Sequence, residues 1–123
     1  MSGDNFILDT NTVLYLLNGD KTLSELLYQK NLYISFITEI ELLGYHKLTQ
    51  KEKSEILQFI DDCIVIDCNQ EIKKKTISLR NKYNTKLGDS LIIATAIYAD
   101  FPLITSDKGF NKIKELNLIL YKV

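Results

Sequence analysis

The chain reads as an α/β protein built on a mostly parallel sheet of about five strands, covered by helices on both faces. Three observations predict this. Short apolar runs alternate with helical stretches, the order that right-handed strand–helix–strand crossovers produce. Four of the five strand-like runs are apolar and only weakly alternating, as strands buried on both sides are. The 123 residues contain no linker, internal repeat or low-complexity tract, which predicts a single domain spanning residues 1–123.

The first strand is expected at Phe6–Leu8, and a helix from Thr12 to Leu17 stops at Asn18-Gly19, a common helix-ending pair. Leu23, Leu26 and Leu27 repeat at helical spacing. A second strand, Leu32–Phe36, leads into a helical stretch from Thr38 to His46. There Thr38-Glu39-Ile40-Glu41 matches a capping box, with Ile37 and Leu42 placed as a hydrophobic staple. Ile56, Leu57, Phe59 and Ile60 follow a charged first turn, and the third strand is expected at Cys63–Asp67. Ile72, Ile77, Leu79 and Tyr83 mark another helix. Leu91 to Tyr98 is apolar almost all round, so it is expected to be buried. Strands at Leu103–Thr105 and Leu118–Tyr121 complete the set. Pro102, the only proline, precedes the fourth strand, where its missing donor does little harm.

Composition excludes several classes. A net charge of -1 argues against a constitutive, sequence-blind nucleic-acid binder, which is usually basic. It leaves a nuclease open, because bound divalent cations reverse the local field. No run approaches the 18 or so apolar residues of a membrane span, and no signal segment opens the chain, so a cytoplasmic protein with no membrane role is expected. Cys63 and Cys68 flank one strand-like run at an odd spacing, on opposite faces, which predicts free thiols rather than a disulfide. His46 is the single histidine, so paired-histidine nucleases and histidine-ligated metals are excluded. No glycine-rich phosphate loop occurs. The Lys73-Lys74-Lys75 run reads as a solvated helix face first; with Arg80, Lys82 and Lys86 nearby, phosphate contacts along a groove are the lesser alternative.

Four carboxylates stand where strands give way to helices. Asp9 ends Phe6-Ile7-Leu8, and Glu41 follows the second strand. Asp89 opens the apolar helical segment, and Asp107 ends Leu103-Ile104-Thr105-Ser106. Each has a structural explanation: Asp9 and Asp89 as N-caps, Glu41 within its capping box, Asp107 in a turn. Their common placement points further, since ligands of open α/β sheets bind at the edge where strands end. Acids crowded there repel unless a cation sits between them. Oxygen-only ligands suit Mg2+ or Mn2+. The expectation is one cleft holding Asp9, Glu41, Asp89 and Asp107 close enough to share one or two cations, with Asn11 and Thr105 as small polar residues that orient a water or a ligating carboxylate.

The motifs resemble those of the PIN-domain family, in particular its VapC-type toxins. Phe6-Ile7-Leu8-Asp9-Thr10-Asn11 is similar to the family's opening. Ile37-Thr38-Glu39-Ile40-Glu41-Leu42-Leu43-Gly44 resembles its second motif, with the acid at Glu41 rather than Glu39. Gly88-Asp89-Ser90-Leu91-Ile92-Ile93-Ala94-Thr95-Ala96 resembles the third, and Leu103-Ile104-Thr105-Ser106-Asp107-Lys108-Gly109-Phe110 the fourth. One departure is Gly109, where many relatives carry a further acid. The resemblance implies a three-layer α/β/α sandwich and a Mg2+- or Mn2+-dependent endoribonuclease that hydrolyses RNA. It also implies a homodimer and a small antitoxin protein as partner. Leu14, Leu17 and Leu43, near the first two acids, are candidates for lining an apolar groove that takes the partner. Two rivals are a receiver-type phosphoacceptor domain, using Asp67, Thr105 and Lys122, and a PIN-like module that binds RNA without cutting it.

Overall fold

Short polar side chains decide where most of the helices begin. Asp9 accepts from the Thr12 amide, Asp20 from Leu23, Ser35 from Ile37, Thr49 from Glu52 and Asn69 from Ile72. Each satisfies an amide that has no partner within its own helix. The computed structural model describes residues 4–122. Strand β1 (Asn5–Leu8) is followed by helices α1 (Thr10–Leu17) and α2 (Lys21–Leu26), then β2 (Asn31–Ser35). Helices α3 (Phe36–Leu43) and α4 (Gln50–Asp61) lead to β3 (Ile64–Ile66). Helices α5 (Gln70–Lys82) and α6 (Leu87–Ala99) lead to β4 (Leu103–Thr105), and a 3-10 helix (Lys108–Lys112) precedes β5 (Leu118–Leu120).

Several boundaries differ from the sequence expectation, and the caps give the reasons. Ser35 ends β2 and caps α3, so the helix starts at Phe36 and Thr38 lies inside it, fully buried. The capping box expected at Thr38–Glu41 therefore does not form; the reciprocal box is Thr49 with Glu52, at the start of α4. Helix α3 ends at Leu43, three residues short of His46, with Gly44 as its C-cap. Helix α6 starts at Leu87, so Asp89 sits in its first turn rather than at the cap, where Lys86 makes no side-chain hydrogen bond. The Asn18-Gly19 stop is borne out: Gly19 has φ +90°, in the left-handed region that costs glycine least. On α5, Ile77 is 62% exposed instead of facing the core. Buried Thr76 occupies the inward position, its hydroxyl donating to the Ile72 carbonyl at 2.7 Å.

The five strands lie in the order β3-β2-β1-β4-β5, and every pairing is parallel. Successive strand residues serve opposite faces. Ile7 and Leu103 join a core with α5, α6 and the 3-10 helix, built on Ile72, Leu79, Ile93 and Phe110. Leu8, Ile34 and Ile104 join the other core, with Val13, Leu23, Leu42 and Ile56 of α1 to α4. The result is an α/β/α sandwich. Strand order also removes the receiver reading, whose sheet runs 2-1-3-4-5 with β3 beside β1. Here β3 is an edge strand, so Asp67 lies beyond β2 from the Asp9 and Thr105 pair.

Candidate functional site

Strands β1 and β4 are neighbours, with Leu8 opposite Ile104. From this pair the sheet grows outward in both directions, so the edge beyond their C-terminal ends is the switch point where open α/β sheets take ligands. Asp9 leaves β1 at that edge and is 7% exposed. Its Oδ1 accepts from the Thr12 amide at 2.9 Å, and its Oδ2 accepts a short hydrogen bond from the Thr105 hydroxyl. The Thr105 oxygen in turn accepts from the Asp107 amide at 3.1 Å. A continuous chain of hydrogen bonds thus joins Asp9, Thr105 and Asp107 across the two strand ends. Asp107 is exposed and its Oδ1 accepts from the Gly109 amide at 2.8 Å. A Cβ at residue 109 would stand 3.0 Å from that oxygen, so an acidic side chain there would crowd Asp107.

The other two acids approach from the neighbouring helices. Glu41, on α3, is exposed, and the Thr10 hydroxyl stands 2.5 Å from its Oε1 and 3.1 Å from the hydroxyl of buried Thr38. A hydroxyl carries one proton, and here the carboxylate is its stronger acceptor. The Glu41 Oε2 lies 3.5 Å from where a Cβ of Gly88 would be, which sets it against the first turn of α6. Asp89, in that same turn, is half-buried. Burial is the main force raising its carboxyl above the ordinary range; Asp107, Asp9 and Glu41 add to it, and Lys86 opposes.

All four acids therefore act on one neighbourhood. Among the described residues, however, no three His, Cys, Asp or Glu side chains are arranged to hold a metal ion. Asp9, Glu41 and Asp107 accept hydrogen bonds from hydroxyl or amide donors. The donor set is all oxygen, which is the chemistry of a hard divalent cation. Asn11 is exposed and no hydrogen bond ties it to the acids. The hydroxyls that reach them are those of Thr105 and of Thr10, the second of which the sequence reading missed. His46 is exposed beside Tyr45, and burial with Asp62 pushes the Cys63 thiol up to about 12. Neither supplies a nucleophile.

Beside Glu41 opens a groove of about 320 Å³ between α1, α3 and α4. Leu14, Leu17 and Leu42 contribute apolar surface, while Glu41, Glu52 and Glu55 make it acidic. Leu43, expected in this lining, packs against the core of that layer instead.

The sequence model of the PIN domain matches residues 6–116. The chain belongs to the PIN domain family. PIN domains are generally nucleases that use divalent metal. Solved structures with the same fold include VapBC2 of Rickettsia felis bound to a promoter DNA fragment, 23% identical with a TM-score of 0.85 over 96% of this chain and 99% of that one. A toxin–antitoxin complex from Klebsiella pneumoniae is 27% identical, with a TM-score of 0.80 over 95% and 98% of the two chains. VapBC-1 of nontypeable Haemophilus influenzae is 25% identical, with a TM-score of 0.79 over 94% and 97%. No curated protein matches the chain.

Two expected results follow from the geometry of this PIN domain. A carboxyl whose folded pKa is raised is stabilising while protonated, and that stability is lost as pH rises through the folded value. Asp89→Asn should therefore raise the thermal midpoint of the metal-free protein at neutral pH. It should also flatten the loss of stability on going upward from pH 4; an unchanged pH profile would contradict the crowding of acids around Asp89. Thr105→Val should leave a buried Asp9 oxygen without its donor. The expected cost is about 1–3 kcal/mol of stability, read by urea unfolding. Metal affinity should also fall by roughly 10–100-fold, measured by Mn2+ titration.

Proposed function

We propose that this PIN domain, spanning residues 1–123, is a Mg2+- or Mn2+-dependent endoribonuclease that hydrolyses RNA phosphodiester bonds, and the toxin of a type II toxin–antitoxin pair. The observation that carries this reading is the linked Asp9–Thr105–Asp107 chain at the β1–β4 switch point, with Asp89 in the field of Asp9, Glu41 and Asp107.

Asp9, Glu41, Asp89 and Asp107 would hold the cation, which supplies an acidified water and charge stabilisation at the phosphoryl group. The Thr105 hydroxyl fixes the rotamer of Asp9, and the Thr12 amide holds its other oxygen. One of the four could also accept the water's proton. No protein nucleophile is needed, in keeping with an exposed His46 and a Cys63 thiol that stays protonated. The implied partner is a small antitoxin protein seated in the acidic groove beside Glu41, and the implied assembly is a cytoplasmic homodimer. No helix among the described residues is long and apolar enough to cross a membrane.

The test is incubation of purified protein with single-stranded and structured RNAs. Cleavage in Mg2+ or Mn2+ and none in EDTA is the expected result. Full cleavage in EDTA overturns the metal mechanism. Binding without cleavage in any metal leaves the non-cutting RNA module as the reading.

A further inference from the structure

The near-zero net charge conceals a strong polarity. Residues 1–69 hold eleven carboxylates and five lysines, a net charge of −6, while residues 70–123 hold ten bases and five acids, a net charge of +5. The fold keeps these two sets apart. The first set supplies α1 to α4, which pack on one face of the sheet, and the second supplies α5, α6 and the 3-10 helix on the other. The candidate site lies at the edge between the layers, so it has an acidic side and a basic side.

One lysine reaches the acids and two more lie on the flanking segments of the basic side. Lys86 precedes α6, is exposed, and lies close enough to Asp89 to oppose the rise in its pKa. Lys108 is exposed and follows Asp107 directly. Lys112 donates to the Asn84 carbonyl at 3.2 Å, which brings its ammonium to the loop just before Lys86. An ammonium has three donors, so Lys112 keeps others for a ligand. Lys82 is less free, being paired with Glu115 at 3.3 Å. On the acidic side, Glu41, Glu52 and Glu55 line the groove, and a phosphate chain would be repelled there.

We infer that a single-stranded RNA backbone crosses the site over the α6 and 3-10 side, with Lys86, Lys108 and Lys112 contacting the phosphates next to the scissile one. This rests on the nuclease reading and adds the direction from which the strand enters. The lysines act as positioning residues. They set where the backbone lies, while the carboxylates do the chemistry.

The experiment is a salt titration of the binding of a fluorescein-labelled 12-nucleotide single-stranded RNA, by anisotropy in EDTA. Wild type is compared with Lys86→Gln/Lys108→Gln and with a control on the acidic layer, Lys51→Gln/Lys53→Gln on α4. Each lost phosphate contact should reduce the slope of log K against log salt by roughly 0.7. The first double variant should therefore lose about 1.4 from its slope, and the control should lose none. In Mg2+ the same variant should raise KM for RNA, as expected when phosphate contacts are removed. Equal slopes for wild type and the Lys86/Lys108 variant, or a larger loss in the control, overturn this placement and leave the nuclease reading standing. A wild-type protein that neither binds RNA in EDTA nor cleaves it in Mg2+ or Mn2+ overturns both.

Discussion

Asp9→Asn should reduce RNA cleavage in Mg2+ to below about a hundredth of wild type without unfolding the protein. Substitutions of groups that merely orient a metal ligand cost about 10–100-fold, and Asp9 is proposed as a ligand itself, so its loss should exceed that range. Asparagine is the informative choice because Asp9 has one observed task and one proposed task. It caps α1 through the Thr12 amide, and asparagine caps helices as well as aspartate does. Alanine would confound the experiment by removing the cap, at about 1 kcal/mol. The neutral side chain also takes one charge out of the field acting on Asp89, so the metal-free variant should melt no lower than wild type. Turnover unchanged in Asp9→Asn would sink the mechanism; lost turnover with a collapsed thermal midpoint would reduce Asp9 to a structural cap.

The cap at Asp9 shows what was legible in the sequence. The cap and ligand readings stood as competitors there, and the structure makes the cap real without deciding against the other. One oxygen serves the α1 amide, and the other faces Thr105, across 96 positions of chain. For Glu41 the outcome differs. The capping box that would have occupied it depended on Thr38 opening the helix, and Ser35 opens it three residues earlier. Nothing in a capping-box pattern reveals that a preceding serine has already served the helix end. The parallel sheet and both helical layers were readable because burial on two faces leaves its mark on the central strands β1 and β4, where Ile7, Leu8, Leu103 and Ile104 are all fully buried. The Thr10–Glu41 contact was not readable, because it joins residues 31 apart and neither motif encodes their separation in space. Ile77 misled for a related reason: periodicity identified the helix, yet the apolar residue faces water and Thr76 takes its place inside by bonding back to the Ile72 carbonyl.

Expressed alone in bacteria, the protein should arrest growth, and Asp89→Asn should relieve the arrest. Co-expression of a partner seated in the groove should relieve it as well. The argument starts from Leu14, which is 39% exposed on α1 and lines the groove that includes Glu41. An apolar strip bordered by Glu41, Glu52 and Glu55 suits an amphipathic segment carrying basic side chains, folded on binding from a disordered state. An Arg or Lys on that segment could enter the field of Asp9, Asp89 and Asp107 and neutralise it as a cation does, so partner and metal should compete. Leu14→Ser separates this groove from the chemistry. Losing a leucine from a buried contact costs about 1.5–3 kcal/mol, which weakens partner binding by roughly 10–100-fold, while RNA cleavage by the free protein should be unaffected. In cells, Leu14→Ser should remain toxic despite the partner. If wild-type expression is harmless and pull-downs return no small protein, the toxin role falls and a PIN nuclease of another purpose is what stands. If Leu14→Ser is still silenced by the partner, the groove is not where silencing occurs.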